Sequence, residues 1–241
     1  MAEFNFSNLQ NKILILGDGG YTKIIKNIIY NLSGVLRYCV LIANENIHKE
    51  YKNWIPDILM YETLYAIEKI MLDQTEFRRK HNNFMELKHT VVIIIDGDLL
   101  DPYTKSSIVD ILFNTSRHYY IIPIVFSKHP RRIPQCIRYN VSQVITTGFK
   151  YSIHQNYFCE LISLIVNMIN PYEVYKNILF RKTLVFDRYY GVYLNVKFAK
   201  LPIQAHIGTK QIWKINDLYM YKHILTIQKR YYDVHFRYYY I

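Results

Sequence analysis

Apolar residues along this chain form two kinds of pattern, continuous runs and stripes with helical spacing. Continuous runs are typical of strands buried on both faces of a sheet. They predict strands at residues 12–16, 38–43, 90–95, 119–126 and 143–147. Stripes with helical spacing predict amphipathic helices. They occur at residues 22–32, 64–74, 103–114 and 158–169, with a shorter helix or turn at 133–139.

Strands and helices alternate along most of the chain, which indicates an α/β fold with a mainly parallel sheet flanked by helices. Residues 53–61 contain Pro56 and are predicted as a loop, and residues 77–88 are polar and basic with little pattern. From Leu184 onward the pattern changes to short strand-like runs separated by turns. These runs lie at residues 184–186, 191–194 and 211–213. We therefore expect a core at residues 1–183 and a small β-rich C-terminal appendage at residues 184–241.

Composition supports a globular protein and adds a hint about partners. The 241 residues are 51% hydrophobic and 20% charged, so the chain is not of the disordered class. The formal net charge is +11, from 30 Lys and Arg against 19 Asp and Glu. A phosphate-rich partner would explain this charge, because cations that neutralise phosphates release counterions. A merely basic surface would carry the same charge, so both interpretations stay open.

Cysteine usage and hydropathy indicate the cellular compartment of the protein. The three cysteines are Cys39, Cys136 and Cys159, and no Cys/His pair has zinc spacing, which favours a reducing compartment. The first ten residues lack the pattern of a signal peptide. No apolar stretch approaches the ~20 residues that a membrane span needs. We expect a soluble, intracellular protein with no membrane span.

A glycine-rich turn follows the first predicted strand and precedes the first predicted helix. Such a turn forms an anion site from its backbone amides and the helix N-terminus. The phosphate-loop consensus is G-x-x-x-x-G-K-[ST]. Its eight positions fall on Gly17, Asp18, Gly19, Gly20, Tyr21, Thr22, Lys23 and Ile24. The first glycine and the lysine are kept, and the other two anchors are lost. Taken alone, the loop therefore favours an ordinary strand–turn–helix corner over a phosphate site.

The apolar run at residues 90–95 ends at Asp96, and this is the form of a strand whose terminal aspartate holds Mg²⁺ in nucleotide-hydrolysing proteins. Many buried parallel strands also end in an aspartate that caps the next helix. Asp96 is therefore a candidate metal ligand because it follows the glycine-rich loop in the expected order.

Both motifs, in this order, resemble those of the packaging ATPases of nucleocytoplasmic large DNA viruses, a branch of the FtsK/HerA superfamily of P-loop NTPases. Other segments are similar to the same family: a Tyr, an Ile-Pro pair and an aromatic, a helix closing in Gln, and Asn-Thr-Ser-Arg-His where the family has Asn-Gly-Arg-His. The similarity covers about residues 10–223. The segments outside the nucleotide motifs that show this similarity are residues 51–61, 67–74, 112–118, 121–126, 132–140, 206–209 and 213.

This resemblance implies a P-loop NTPase-like core, with ATP and Mg²⁺ as cofactors if the site is functional and none otherwise. It implies double-stranded DNA as a partner, together with a homo-oligomeric ring or viral capsid and packaging proteins. The expected location is the virus assembly site in the host cytoplasm, or the virion.

Four departures from the family pattern lie where hydrolysis takes place. Ile24 replaces the Ser or Thr whose hydroxyl binds Mg²⁺, and an alkyl group cannot coordinate a metal. Thr22 replaces a glycine, and a β-branched residue held at positive φ costs about 1–2 kcal/mol. Gly97 stands in place of a second acidic residue, and Lys128 in place of a Gln that senses the γ-phosphate. We expect weak or lost hydrolysis, unless a nearby aspartate, Asp98 or Asp101, substitutes for the missing acid.

Several residues keep roles that the resemblance implies. Lys23 and Asp96 remain as catalytic candidates, Asp96 as the metal ligand and Lys128 at the sensor position. Arg117 matches a position near the family's subunit interface, as a possible arginine finger or an ordinary exposed arginine at a helix end. Candidate DNA contacts form basic clusters, which are also common on solvated loops. These clusters are Arg78, Arg79 and Lys80, and Arg131 and Arg132.

Three functional hypotheses follow from the sequence. The first is a relative of the packaging ATPases, acting in DNA encapsidation or virion assembly, with weak or lost ATP hydrolysis. The alternative is an active ATP-driven motor that translocates DNA. A second alternative is an unrelated α/β protein that binds DNA or takes part in assembly.

Overall fold

The computed structural model describes residues 12–81, 88–95, 107–165, 183–188, 191–193, 201–210 and 212–214. The strands are β1 Ile13–Gly17, β2 Leu36–Ile42, β3 Met60–Tyr61, β4 His89–Ile95, β5 Ile121–Ser127, β6 Gln143–Gly148, β7 Leu184–Asp187 and β8 Gly191–Tyr193. The helices are α1 Tyr21–Asn31, α2 Glu45–Tyr51, α3 Ala66–Lys80, α4 Ser107–Thr115, α5 Gln135–Asn140 and α6 Ser152–Ile165.

All these strands belong to one sheet in the order β3-β2-β4-β5-β1-β6-β7-β8. All neighbouring strands among β1 to β6 pair in parallel. Strand β7 pairs antiparallel with β6, and β8 pairs antiparallel with β7. The predicted fold class, an α/β sheet that is mainly parallel and flanked by helices, is confirmed. The strand before the glycine-rich turn, β1, and the strand before Asp96, β4, run parallel with β5 between them.

Helices cover both faces of the sheet, which explains why the strands are apolar throughout. Successive β1 residues alternate between the faces: Ile15 packs with the helix α1 residues, and Leu14 with helices α3 to α6. On the first face lie Ile24, Ile25 and Ile28 of α1, each at most 2% exposed. Burial on both faces removes the polar alternation that a half-exposed strand would show.

Several predicted boundaries were wrong for local reasons. Helix α2 was not predicted, because only Tyr51 on it is buried, although Asn44 caps it by accepting a hydrogen bond from the Ile47 amide at 3.2 Å. Helix α3 continues to Lys80, six residues past its predicted end, through a basic last turn that suits a helix C-terminus. The predicted loop at 53–61 ends in the short edge strand β3.

The described part of the C-terminal region packs onto the sheet. Strand β7 pairs with β6, and residues 205–209 run past the edge of β2, where the Thr209 amide donates to the Arg37 carbonyl at 3.0 Å. Ile212 and Trp213 are helical, so the strand predicted at 211–213 is wrong there. The Trp213 indole donates to the Ile207 carbonyl at 3.2 Å and closes this segment. The division at residue 184 stays a prediction.

No helix within the described ranges combines the length and apolar character that crossing a membrane requires.

Candidate functional site

The candidate nucleotide site lies at the edge where the parallel strands end, called the loop edge below. Strand pairing sets Leu16 of β1 level with Ser127 of β5, and Phe126 level with Ile95 of β4. Lys128 therefore follows β5 beside Gly17 of the loop. Strands β1 and β4 are two strand spacings apart, about 10 Å. Ligands of open α/β sheets bind in crevices outside such strand ends.

Part of the predicted site lies outside the described residues. Asp96, Gly97, Asp98 and Asp101 all follow β4 and fall in the undescribed range 96–106. What the structure shows is that β4 runs parallel to β1 and ends at the same edge. The roles of these residues stay predictions.

The loop between β1 and α1 is short, since helix α1 begins at Tyr21 and residues 18–20 form the whole turn. The N-cap, Gly20, has φ 76°, the left-handed conformation that glycine adopts without a steric penalty. The first-turn amides of a helix have no partner within the helix and attract anions. No acidic side chain occupies this first turn, and Lys23 is exposed on it.

Thr22 does not carry the strain expected at its position. It lies inside α1, and the left-handed conformation falls on Gly20 two residues earlier. Among the described residues other than glycine, only Tyr120 has positive φ. The Thr22 hydroxyl donates to the Glu50 carboxylate at 2.7 Å and so joins the start of α1 to the end of α2. The expectation of strain is wrong, and this threonine is a packing link.

The start of the loop is tied to strand β6 and the turn that follows it. The Asp18 amide donates to the Gly148 carbonyl at 3.2 Å, and the Asp18 carboxylate accepts from the Lys150 amide at 2.6 Å. At Gly17 an added Cβ would lie 2.1 Å from the Thr147 hydroxyl oxygen. The first consensus glycine is therefore required by close packing against β6.

Ile24 stands where the consensus places a metal-binding hydroxyl, and it belongs to the hydrophobic core. Its side chain is 2% exposed and packs with the α1 face of the sheet. Mg²⁺ takes oxygen ligands, and this buried alkyl side chain offers none. The replacement is built into the packing of α1.

An aromatic pair that sequence reasoning missed covers the strand between β1 and β4. The Tyr21 ring stacks on the Phe126 ring with 3.8 Å between centroids and 21° between planes. Phe126 is 1% exposed and lies in one row with Ile15 and Ile95. The only sequence signal was an aromatic residue at the fourth variable position of the loop.

The remaining candidates divide between two opposite edges of the sheet. Lys128 and the 3-10 turn Pro130–Arg132 follow β5 at the loop edge, where the Arg131 guanidinium lies 5.3 Å from the Tyr157 ring. Arg117 precedes β5 at the other edge, about 20 Å away along seven strand residues. The structure therefore does not bring Arg117 to the loop of its own chain.

The predicted DNA-binding residues are separated in the same way. Arg78, Arg79 and Lys80 form the last turn of α3. The Arg78 guanidinium donates to the His118 carbonyl at 3.1 Å, beside Arg117 and far from the loop. Arg131 and Arg132 lie at the loop edge, so the two basic clusters do not form one continuous surface.

Solved structures with the same arrangement of elements include a viral packaging protein. The genome packaging NTPase B204 from Sulfolobus turreted icosahedral virus 2, in complex with sulfate, matches with a TM-score of 0.62 and 15% identity, over 80% of this chain and 100% of that chain. Structures of that NTPase with AMP, AMPPCP and ATP-gammaS match as well. This chain has the fold of the packaging NTPases.

A bacterial ATPase shares the same fold. EssC (ATPases 2 and 3) from Geobacillus thermodenitrificans matches with a TM-score of 0.58 and 12% identity, over 89% of this chain and 45% of that chain. The expected P-loop NTPase-like fold is thus confirmed, because viral and bacterial ATPases share it. The sequence itself matches no protein-family model and has no significant match among curated proteins.

Proposed function

We propose that this protein acts in viral DNA encapsidation or virion assembly as a packaging-NTPase relative that binds nucleotide phosphates but hydrolyses ATP weakly or not at all. The observation that carries the proposal is the buried position of Ile24, 2% exposed in the core where a metal-binding hydroxyl is expected. The fold and its packaging-NTPase neighbours support the biological role.

Phosphate binding is supported by the loop edge itself. The N-terminus of α1 and the exposed Lys23 present positive charge at one point. Lys128 adds a second exposed cation beside the loop, level with Gly17. Two lysines and a helix N-terminus suit a polyphosphate, and they do so without a divalent metal.

Hydrolysis requires more than phosphate binding. Phosphoryl transfer needs a metal that neutralises developing charge and a residue that positions the attacking water. Ile24 supplies no metal ligand, and the Tyr21–Phe126 pair places aromatic carbon over the strand between the loop and β4. Preorganised charge of this kind is worth orders of magnitude in rate, so its loss predicts turnover near background.

The test is a calorimetric titration of the purified protein with ATP, in Mg²⁺ and in EDTA. We expect binding whose affinity changes less than about threefold between the two conditions and falls at least tenfold in Lys23→Ala. Lys52→Ala, an exposed lysine just past α2, is the matched control and should bind as the wild type does. Failure of Lys23→Ala to weaken binding would remove the loop from the proposal.

The active motor remains a second candidate because the kept lysine, Lys23, is exposed at the loop edge. In that function Asp98 or Asp101 replaces the missing acid, and Arg117 acts on the nucleotide of a neighbouring subunit in a ring. Its position at the edge opposite its own loop agrees with such a role in trans. A measurement of ATP turnover by the wild-type protein separates the two candidates.

A further inference from the structure

The edge where the parallel strands begin carries a row of cations, called the basic edge below. Its members lie directly before β4, in the 3-10 turn Ser116–Tyr119 that precedes β5, at the end of α3, or just past β7. Strand β7 runs antiparallel, so its C-terminus lies at this edge. They are Arg78, Arg79, Lys80, Lys88, Arg117 and Arg188. From β4 to β7 the row crosses four strand spacings, about 20 Å.

Two arginines of this edge are held by main-chain carbonyls. Arg78 donates to the His118 carbonyl at 3.1 Å, and Arg188 donates to the Tyr139 carbonyl at 2.8 Å. A carbonyl carries no formal charge, so these bonds fix the position of each guanidinium without neutralising it. The cations are therefore preorganised, which lowers the entropic cost of binding an anionic partner.

Like charges are crowded at this edge. Lys12 precedes β1 and donates to the Phe113 carbonyl. Burial, and then the positive charges of Arg117 and Arg188, lower the pKa of its ammonium group. Two nearby carboxylates are already engaged, since Asp73 pairs with Arg37 at 2.8 Å and Asp187 accepts from Gln143 at 2.8 Å. An external polyanion would relieve this repulsion.

Capping of helix ends accounts for only part of the positive charge at this edge. Lys12 and Arg188 bond carbonyls in the last turns of α4 and α5, as cations at helix C-termini commonly do. Arg79, Lys80 and Arg117 are exposed at the same edge. Their charges face solvent, where a duplex with one negative charge per ~1.7 Å of axis would meet them.

We propose that the basic edge, and not the loop edge, is the surface on which this protein holds the phosphate backbone of duplex DNA. The choice of duplex DNA rests on the proposed role in packaging; the location rests on the geometry above. Contacts to phosphates alone carry no sequence information, so binding is independent of sequence. Nucleotide and DNA then occupy opposite edges of one sheet, about 20 Å apart.

The test measures binding of a fluorescent mixed-sequence duplex by anisotropy, over a series of salt concentrations, with the full chain. In Arg79→Glu/Lys80→Glu/Arg117→Glu we expect affinity at low salt to fall more than tenfold. The slope of log K against log salt should become shallower by about 2.7, since three phosphate contacts at ~0.9 each are lost. The neutral variant with Gln at these positions should show the same loss of slope, and circular dichroism should show both variants folded.

The matched control is Lys49→Glu/Lys52→Glu/Lys69→Glu, which makes the same change of net charge at exposed positions on other surfaces. It should keep the wild-type slope to within about one unit. Equal losses in the two triple variants would show a response to net charge alone and overturn the proposal. Tighter binding of single-stranded DNA than of duplex would overturn it as well.

Loss of binding in Lys128→Glu/Arg131→Glu, with the basic-edge variants unaffected, would move the surface to the loop edge and contradict the proposal. ATP titration of the same variants separates this inference from the proposed function. Lys23→Ala should lose ATP binding and keep its DNA affinity. If the protein binds no ATP, and its DNA affinity falls only when the charges of the basic edge are reversed, the nucleotide site is refuted. The DNA surface is still supported in that case.

Discussion

The ring of Tyr21 lies nearly parallel to the ring of Phe126, with 3.8 Å between their centroids. Tyr21 opens helix α1 and Phe126 is the penultimate residue of β5, so the contact fastens the loop to the strand that separates β1 from β4. A loop fastened in this way keeps its short turn and its early helix start. The pair therefore holds the first turn of α1 against the sheet.

The first prediction concerns this pair. Phe126→Ala should lower the free energy of unfolding by about 3–5 kcal/mol, because it empties a fully buried site. Tyr21→Ala should cost less, because the ring is half-buried. A double-mutant cycle by urea unfolding should give a coupling of about 0.5–1.5 kcal/mol. Additive losses within about 0.3 kcal/mol would mean that the stacking contributes nothing of its own.

The second prediction uses two neighbouring glycines. Gly17→Ala should destabilise the protein by more than about 2 kcal/mol, because its Cβ would overlap the Thr147 hydroxyl and its φ is +148°. Gly19→Ala is the control, since no atom lies within 4 Å of its added Cβ. Its unfolding midpoint should stay close to that of the wild type. Equal effects of the two substitutions would argue against the packing of the loop on β6.

Most of the fold could be predicted from the sequence, because buried elements have a clear pattern of apolar residues. Continuous apolar runs located five parallel strands, and the stripe on α1 located that helix to within one residue at each end. Helix α2 and the two-residue strand β3 gave little signal, because few of their residues are buried. Short elements of this kind depend on tertiary contacts and not on local pattern.

The candidate site was only partly predictable. The consensus could propose the loop and its departures at Thr22 and Ile24, because these depend on residue type alone. The stacking of Tyr21 on Phe126 and the hydrogen bond from Thr22 to Glu50 join residues distant in sequence. A single sequence carries no record of such contacts.

The third prediction concerns pH. Burial lowers the pKa of His89, at the start of β4, below its ordinary 6.5. The unfolded chain then binds this proton more readily than the folded one, so stability falls as pH decreases below about 6.5. His89→Gln should make the unfolding free energy less dependent on pH between 7 and 5, measured by urea titration. Superimposable pH curves for the two proteins would contradict burial of a neutral imidazole.

The fourth prediction tests the metal position. Ile24→Thr should lose about 1–3 kcal/mol of stability, because it places a hydroxyl in the core. Ile24→Val removes one methyl group without adding oxygen and should cost about 0.5–1.5 kcal/mol. Only the threonine variant should gain affinity for ATP when Mg²⁺ is added. A gain in both variants, or in neither, would show that this position does not decide metal binding.

The most direct measurement is ATP turnover by the wild-type protein, with Mg²⁺ and duplex DNA and at several protein concentrations, so that assembly of a ring does not limit it. We expect hydrolysis at or near background in every condition, while ATP still binds and Lys23→Ala weakens that binding at least tenfold. Robust Mg²⁺-dependent turnover that Lys23→Ala abolishes would contradict this expectation and identify the protein as a working motor.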